Sequence, residues 1–298
     1  MSIDLQQLLN SPSVLRFISV LARTLPPEIG YPLCDRIGSW VATRREAQFT
    51  QAVRINQWIA RGASLSNAEL DAAVVKTLQN NARDIYTLYH YLDQPDTVRE
   101  MIHFSREACE IVQRPEHADR GLIVLGLHLS NFDFILRFII KEMGFKSMVL
   151  TLSNPQGGRR VEYEMRKEIG MNIVPASVGG LRSAIKYLQN GGTLVTGLDR
   201  PIPEPRQKPM FFGRRACLPI HFADLASKAG VPAVVMAAIQ QTDGKYHVLR
   251  SEFMEMEPGL ETIRNAERVL KQAEQFIRQM PQQWNVPLPV WPDAALGM

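Results

Sequence analysis

The chain is predicted to be an α/β protein: a mostly parallel central sheet flanked by helices and entered through a helical amino-terminal portion. Three observations carry this prediction. Residues 1 to about 100 show helical spacing and no strand longer than a few residues, whereas residues from about 101 to 253 alternate short strand-like runs with amphipathic stretches. The apolar run Leu122 to Leu127 ends in His128, and a new helical pattern begins at Phe134. Such alternation calls for parallel strands covered on both faces. No polar linker divides the chain, so the helical portion (1–100), expected to face a membrane, and the α/β core (101–298) should form one integrated unit.

The elements follow in order. Val14 to Arg23 is a short apolar helix interrupted by Arg16 and Arg23, a pattern that suits a membrane interface and an ordinary packed helix equally. Breaks fall at Pro26-Pro27, Gly62 and Asp93-Gln94-Pro95. Between them, Ser66-Asn67-Ala68-Glu69 is a capping box, after which Leu70, Val74, Leu78, Ile85, Leu88 and Leu92 give one apolar face. Strands are expected at Met101 to Phe104, Leu122 to Leu127, Ser147 to Leu152, Asn172 to Pro175, Thr193 to Leu198, Val231 to Gln240 and Tyr246 to Phe253. Helices are expected at Phe134 to Met143, Arg159 to Ile169, Gly180 to Gln189 and Phe222 to Lys228, and an amphipathic helix at Glu261 to Gln279 precedes an irregular end rich in Pro and Trp.

Composition narrows the function. With 45% hydrophobic and 21% charged residues the chain is globular rather than disordered. A net charge of +4 and a pI near 9.0 suit a surface meeting anionic headgroups or a phosphorylated cofactor, and nothing else in the sequence supports nucleic acid. Three scattered cysteines, Cys34, Cys109 and Cys217, suggest neither a disulfide framework nor a zinc site, which points to a reducing compartment. No apolar stretch is long enough to span a bilayer and the start lacks a signal-peptide pattern, so a peripheral location is expected.

The segment Gly126-Leu127-His128-Leu129-Ser130-Asn131-Phe132-Asp133 carries the chemistry. His128 should stand at the carboxyl end of a strand, where open α/β sheets bind ligands. Ser130 and Asp133 also read as a capping box for the next helix, and the two readings are compatible. No G-x-S-x-G elbow, Walker-type loop or dinucleotide fingerprint is present. A histidine and an acid without a paired nucleophile suggest that the hydroxyl to be activated belongs to the substrate, with neutral His128 taking its proton and Asp133 holding the ring. No third side chain with ligand spacing accompanies the pair, so no metal site is expected. Asn154-Pro155 leads into a helix bearing Arg159, Arg160, Arg166 and Lys167, which reads as a phosphate-binding or a solvated face. Asp199-Arg200 follows a strand and should share the edge with His128, and Phe211-Phe212-Gly213-Arg214-Arg215 reads as an acyl and phosphate contact or as a hairpin with a basic tip.

These pieces in this order resemble the lysophospholipid acyltransferase superfamily and, within it, the lipid A lauroyl acyltransferase group, which includes acyltransferases of phosphatidylinositol mannosides. The resemblance covers nearly the whole chain, from the helical start to the closing pair Trp284 and Trp291. It implies transfer of an acyl group from a thioester, acyl-CoA or the acyl-ACP form on acyl carrier protein, to a hydroxyl of a lipid or glycolipid. The reaction would occur at the cytoplasmic side of the inner membrane, without an acyl-enzyme or a permanently bound cofactor. It gives His128 the role of general base and Asp133 that of orienting acid. Arg166 falls on a substrate-binding arginine and Phe212-Gly213-Arg214 on a block associated with the acceptor, with Asn131, Arg159, Asp199 and Arg200 completing the substrate-binding set. Two departures change the shape near the site: Leu-Ser-Asn-Phe-Asp after His128, where the lauroyl group has Gly-Asn-Trp-Glu-like residues, and the proline-rich stretch Pro201 to Pro205. The rival expectations are a thioesterase or lysophospholipase using the same pair, and a non-catalytic lipid-binding module.

Overall fold

A computed structural model describes residues 11–151 and 158–294. Asn154-Pro155 and the end of the third expected strand lie outside the described residues, as does the side chain of Arg159. The amino-terminal portion consists of α1 (Pro12–Thr24), α2 (Pro27–Ala42), α3 (Gln48–Ala60) and α4 (Asn67–His90). The expected capping box forms at the start of α4, where Glu69 N donates to Ser66 Oγ at 3.3 Å and Ser66 N to Glu69 Oε2 at 2.8 Å. Packing of α2 on α4 depends on small residues. A Cβ on Gly38 would lie 2.5 Å from the Gln79 backbone, so only glycine allows that approach. The apolar face of α4 departs from expectation at Ile85, which is 38% exposed; Tyr86 and Tyr89 take the inward places.

The core follows as α5 (Pro95–Met101), β1 (Ile102–Phe104), α6 (Arg106–Val112), β2 (Leu122–Gly126), α7 (Phe132–Lys141), β3 (Met148–Thr151), α8 (Gly158–Glu168), β4 (Asn172–Pro175), α9 (Val178–Gln189) and β5 (Thr193–Gly197). A short hairpin, β6 (Met210–Phe211) and β7 (Arg214–Arg215), precedes α10 (His221–Ala229), β8 (Ala233–Gln240), β9 (Tyr246–Arg250) and α11 (Thr262–Gln279). Seven strands form one sheet in the order β1-β9-β8-β2-β5-β3-β4, with every pair parallel except β8 and β9. This is the mostly parallel α/β architecture the alternation predicts.

Residues of β2 alternate between two apolar layers, as a strand buried on both faces requires. Leu122 and Val124 join the layer containing Ile111, Ile135 and Phe138 of α6 and α7, whereas Ile123 and Leu125 join the layer containing Leu188, Phe222 and Leu270 of α9, α10 and α11. From β2 the chain crosses to β3 on one side, and from β5 it crosses back to β8 on the other. The crevice beyond the carboxyl end of β2 is therefore the switch point of the sheet.

The closing segment is irregular in outline and closely anchored. Asn56 Nδ2 of α3 donates to the carbonyls of Val286 and Leu288, both at 2.9 Å, and Asn80 Nδ2 of α4 donates to that of Gln282 at 2.9 Å. Leu129 and Trp284 form an isolated antiparallel bridge, so this strap runs beside the loop that follows β2.

Candidate active site

Strand register places the two central residues. β2 and β5 pair with Leu122 opposite Thr193 and Gly126 opposite Gly197, so His128 and Asp199 stand opposite each other just past the strand ends. His128 Nδ1 lies 2.7 Å from Asp199 Oδ1, and the His128 backbone N–H donates to the same carboxylate at 3.1 and 3.2 Å. Trp284 Nε1 donates to Asp199 Oδ2 at 2.7 Å. The Asp199 side chain is 0% exposed while that of His128 is 29% exposed, so the acid is enclosed and the ring is open on one side. A Cβ at Gly197 would lie 3.3 Å from His128 Cε1, and glycine there leaves the imidazole its room.

Trp284 itself sits in an aromatic box. Its ring lies 6.0 Å from Phe211, 6.3 Å from Phe212 and 6.1 Å from Trp291, with Phe211 stacked on Trp291 at 5.7 Å. The β6–β7 turn that presents these phenylalanines is held in place, since Phe212 N–H donates to Glu274 Oε1 of α11 at 2.5 Å. Phe212 has φ 49° and Gly213 φ 72°, a left-handed turn in which only Phe212 is a strained choice. The block forms the hairpin: Phe212 is buried in the box, and Arg214 is exposed with its guanidinium 5.2 Å over the Trp58 ring.

The expected hold of Asp133 on the ring is not the contact observed. Asp133 instead accepts from Arg166 Nη2 of α8 at 2.6 and 2.7 Å. The reason is geometric: Asp133 lies in the first turn of α7 within reach of Arg166 on α8, whereas strand pairing brings Asp199 directly against Nδ1. Burial pushes the Asp133 carboxyl up, but the Arg166 charge and hydrogen bond, helped by Arg137 and His128, outweigh it and hold the group below its ordinary range. The expected Ser130 cap is absent too. The helix caps at Asn131 without a side-chain bond, and Ser130 has φ 53° with its Oγ buried and, among the described residues, without a hydrogen-bond partner.

Other expected site residues fall out as follows. Asp199 is wholly enclosed, and its carboxylate is taken up by His128 and Trp284. Asn131 is 5% exposed and donates Nδ2 to the Asp84 carbonyl at 2.8 Å. Arg200 is half-buried at the same sheet edge, and Gly213 lies exposed at the hairpin turn. Sequence reasoning missed Asp84, Asn285 and Gln283 and left Trp284 without a role, because contacts made across a whole chain leave no local spacing. The one signal for the strap was its richness in tryptophan and proline after the amphipathic helix ends.

Fold and site together define an α/β protein with an acid-held histidine at the switch point of its sheet. The family model for bacterial lipid A biosynthesis acyltransferases matches residues 13–291, and the chain belongs to that family. It is thus an acyltransferase, as the sequence resemblance implies. No curated protein matches the sequence. Among solved structures, the pilus retraction motor PilT with bound ADP gives a TM-score of 0.28 at 10% identity, over 62% of this chain and 61% of that one. This chain therefore spans less than two thirds of that motor's length, and a likeness so slight carries no argument.

Proposed function

We propose that the protein transfers an acyl group from a thioester, on coenzyme A or acyl carrier protein, to a hydroxyl of a lipid or glycolipid, with His128 as general base and Asp199 as its orienting acid. The observation that carries this is the His128 Nδ1 contact with Asp199 at 2.7 Å on a ring still 29% exposed. A carboxylate at Nδ1 selects the tautomer with its proton there and leaves Nε2 as the acceptor. Nε2 takes the proton of the acceptor hydroxyl as its oxygen attacks the thioester carbonyl carbon. The C–S bond then breaks, and the departing thiolate recovers that proton from Nε2, so no acyl-enzyme forms. Base and leaving group complete the balance, and the chemistry asks for no resident metal or cofactor. Asp133 and Arg166 pair with each other across α7 and α8 near the site, where the guanidinium would orient anionic parts of a substrate.

A membrane surface is the proposed workplace, on its cytoplasmic side. Phe17 and Val20 of α1 are 67% and 62% exposed, and Ile29, Ile37 and Trp40 of α2 are also exposed. Arg16, Arg23, Arg36 and Arg44 are exposed among them. Apolar side chains interleaved with guanidinium groups suit an interfacial element. Among the described residues no helix is long and apolar enough to cross a membrane.

The test supplies a series of acyl-CoA and acyl carrier protein thioesters with a total bacterial lipid extract, and reads acylated lipid and free fatty acid by mass spectrometry. We expect acylated lipid from the wild type, and a loss of about a hundredfold or more in a folded His128→Ala variant. Near-normal transfer by that variant would overturn the base assignment. Release of fatty acid with no lipid acylated would favour a hydrolase, and binding of lipid without thioester turnover a lipid-binding module.

A further inference from the structure

We infer that Asp84 and Asn285 are positioning residues for His128, a clasp that holds the loop after β2 in the conformation that seats the imidazole on Asp199. This rests on the reading of His128 as the base. The loop needs holding, because Ser130 occupies the left-handed region at φ 53°. A non-glycine residue there is strained and persists only where its surroundings over-determine it.

Those surroundings come from two distant parts of the chain. Asn285 N–H donates to the His128 carbonyl at 2.8 Å and Ser130 N–H donates to the Gln283 carbonyl at 2.7 Å, so the strap fixes the backbone on both sides of Leu129. The Asn285 side-chain amide donates to the Asp84 carboxylate, and its Nδ2 also reaches the Ser130 carbonyl at 3.5 Å. Asn131 Nδ2 at the loop's far end donates to the Asp84 carbonyl at 2.8 Å. Asp84 thus meets the strap through its side chain and the loop through its backbone, and it belongs to α4 of the helical portion.

The choice of residue is informative. Neighbouring Arg83 turns the other way and pairs with Asp35 at 2.5 Å, while Asp84 points inward to an amide. Burial pushes its carboxyl up to about 7, with the Asn285 hydrogen bond pulling the other way. An acid kept at such a place despite that cost is explained by the geometry it imposes on the loop.

The experiment compares Asp84→Ala, Asn285→Ala, the double variant and Asp84→Asn in the thioester and lipid-extract assay, with folding checked by thermal melts. It also reads the His128 Nδ1–H proton by NMR, assigned by its loss in His128→Ala. A ring displaced by about 1 Å can cost on the order of a hundredfold in rate. We expect kcat to fall about tenfold or more in each alanine variant with KM within about twofold, the double variant to be little worse than either single one, and the Nδ1–H signal to shift or broaden. Asp84→Asn, whose amide oxygen can still accept from Asn285, should keep most of the rate and the wild-type signal. A folded Asp84→Ala variant with unchanged kcat and signal overturns the clasp, as does an Asp84→Asn variant as impaired as the alanine one. If His128→Ala remains active the base assignment fails separately, and the NMR signal still judges the clasp because it needs no turnover.

Discussion

Two aspartates stand near His128 and live in opposite surroundings. Asp199 is wholly enclosed and receives uncharged donors, the His128 backbone N–H and the Trp284 indole, besides the imidazole. Asp133 opens α7, is partly open to solvent and shares a full ion pair with Arg166. An acid satisfied by a guanidinium has little left for an imidazole, whereas one ringed by neutral donors keeps its negative charge for the ring. What brings Asp199 rather than Asp133 against Nδ1 is strand register, and the five-residue spacing of His128 and Asp133 does not decide it.

Exchanging charge for amide at each site tests that difference where it is largest. Asp199→Asn should lower kcat on the order of a thousandfold or more, since an amide cannot hold the imidazole in the required tautomer or balance the imidazolium. Asp133→Asn should cost only about ten- to a hundredfold, and much of it should appear in KM if Arg166, released from its partner, binds substrate differently. Steady-state kinetics on both folded variants decide the matter. A larger loss at Asp133 than at Asp199 would reverse the assignment.

How much of this was legible beforehand depends on the range over which each feature is encoded. The alternating runs fixed the strands to within a few residues, because burial of β2 on both faces writes itself as the continuous run Leu122 to Leu127. His128, Asp199 and Arg166 were legible as candidates from their places at the ends of strands or on a basic helix. Their pairing was not, because it depends on β5 lying beside β2 although β3 and β4 intervene in the chain. The role of Ser130 was misread for a similar reason: its sequence suits a cap, but the bond from its N–H to the Gln283 carbonyl holds it in a left-handed turn that a capping residue does not adopt. Asp84 and Asn285 meet across 201 residues and leave no local pattern at all.

The ion pair offers a second way to sharpen the contrast, through stability. The folded-state pKa of Asp133 is depressed, so its contribution is present above the ordinary carboxylate range and is lost as pH falls through the depressed value. In Arg166→Gln the burial that pushes this carboxyl up loses its main opponent, and the sign of the contribution reverses. The variant should be about 2 kcal/mol less stable than the wild type at neutral pH, with both side chains still partly solvated, and the deficit should shrink as the medium is acidified toward pH ~3. Urea titrations at several pH values measure it. A deficit independent of pH would mean that Arg166 contributes by packing alone.

The smallest effect concerns how closely His128 is seated. Gly126 and Gly197 face each other across β2 and β5, yet an added Cβ meets different neighbours: the Phe132 ring at 2.2 Å for Gly126, and His128 Cε1 at 3.3 Å for Gly197. The first contact is impossible without moving an aromatic side chain, while the second is tight by only a few tenths of an ångström. Gly197→Ala should therefore fold with a melting temperature near that of the wild type, tilt the imidazole slightly on Asp199, and reduce kcat by about three- to tenfold with little change in KM. An unchanged kcat would show that the ring has slack against β5. The close seating inferred from the Nδ1 contact would then need only the carboxylate and not the walls around it.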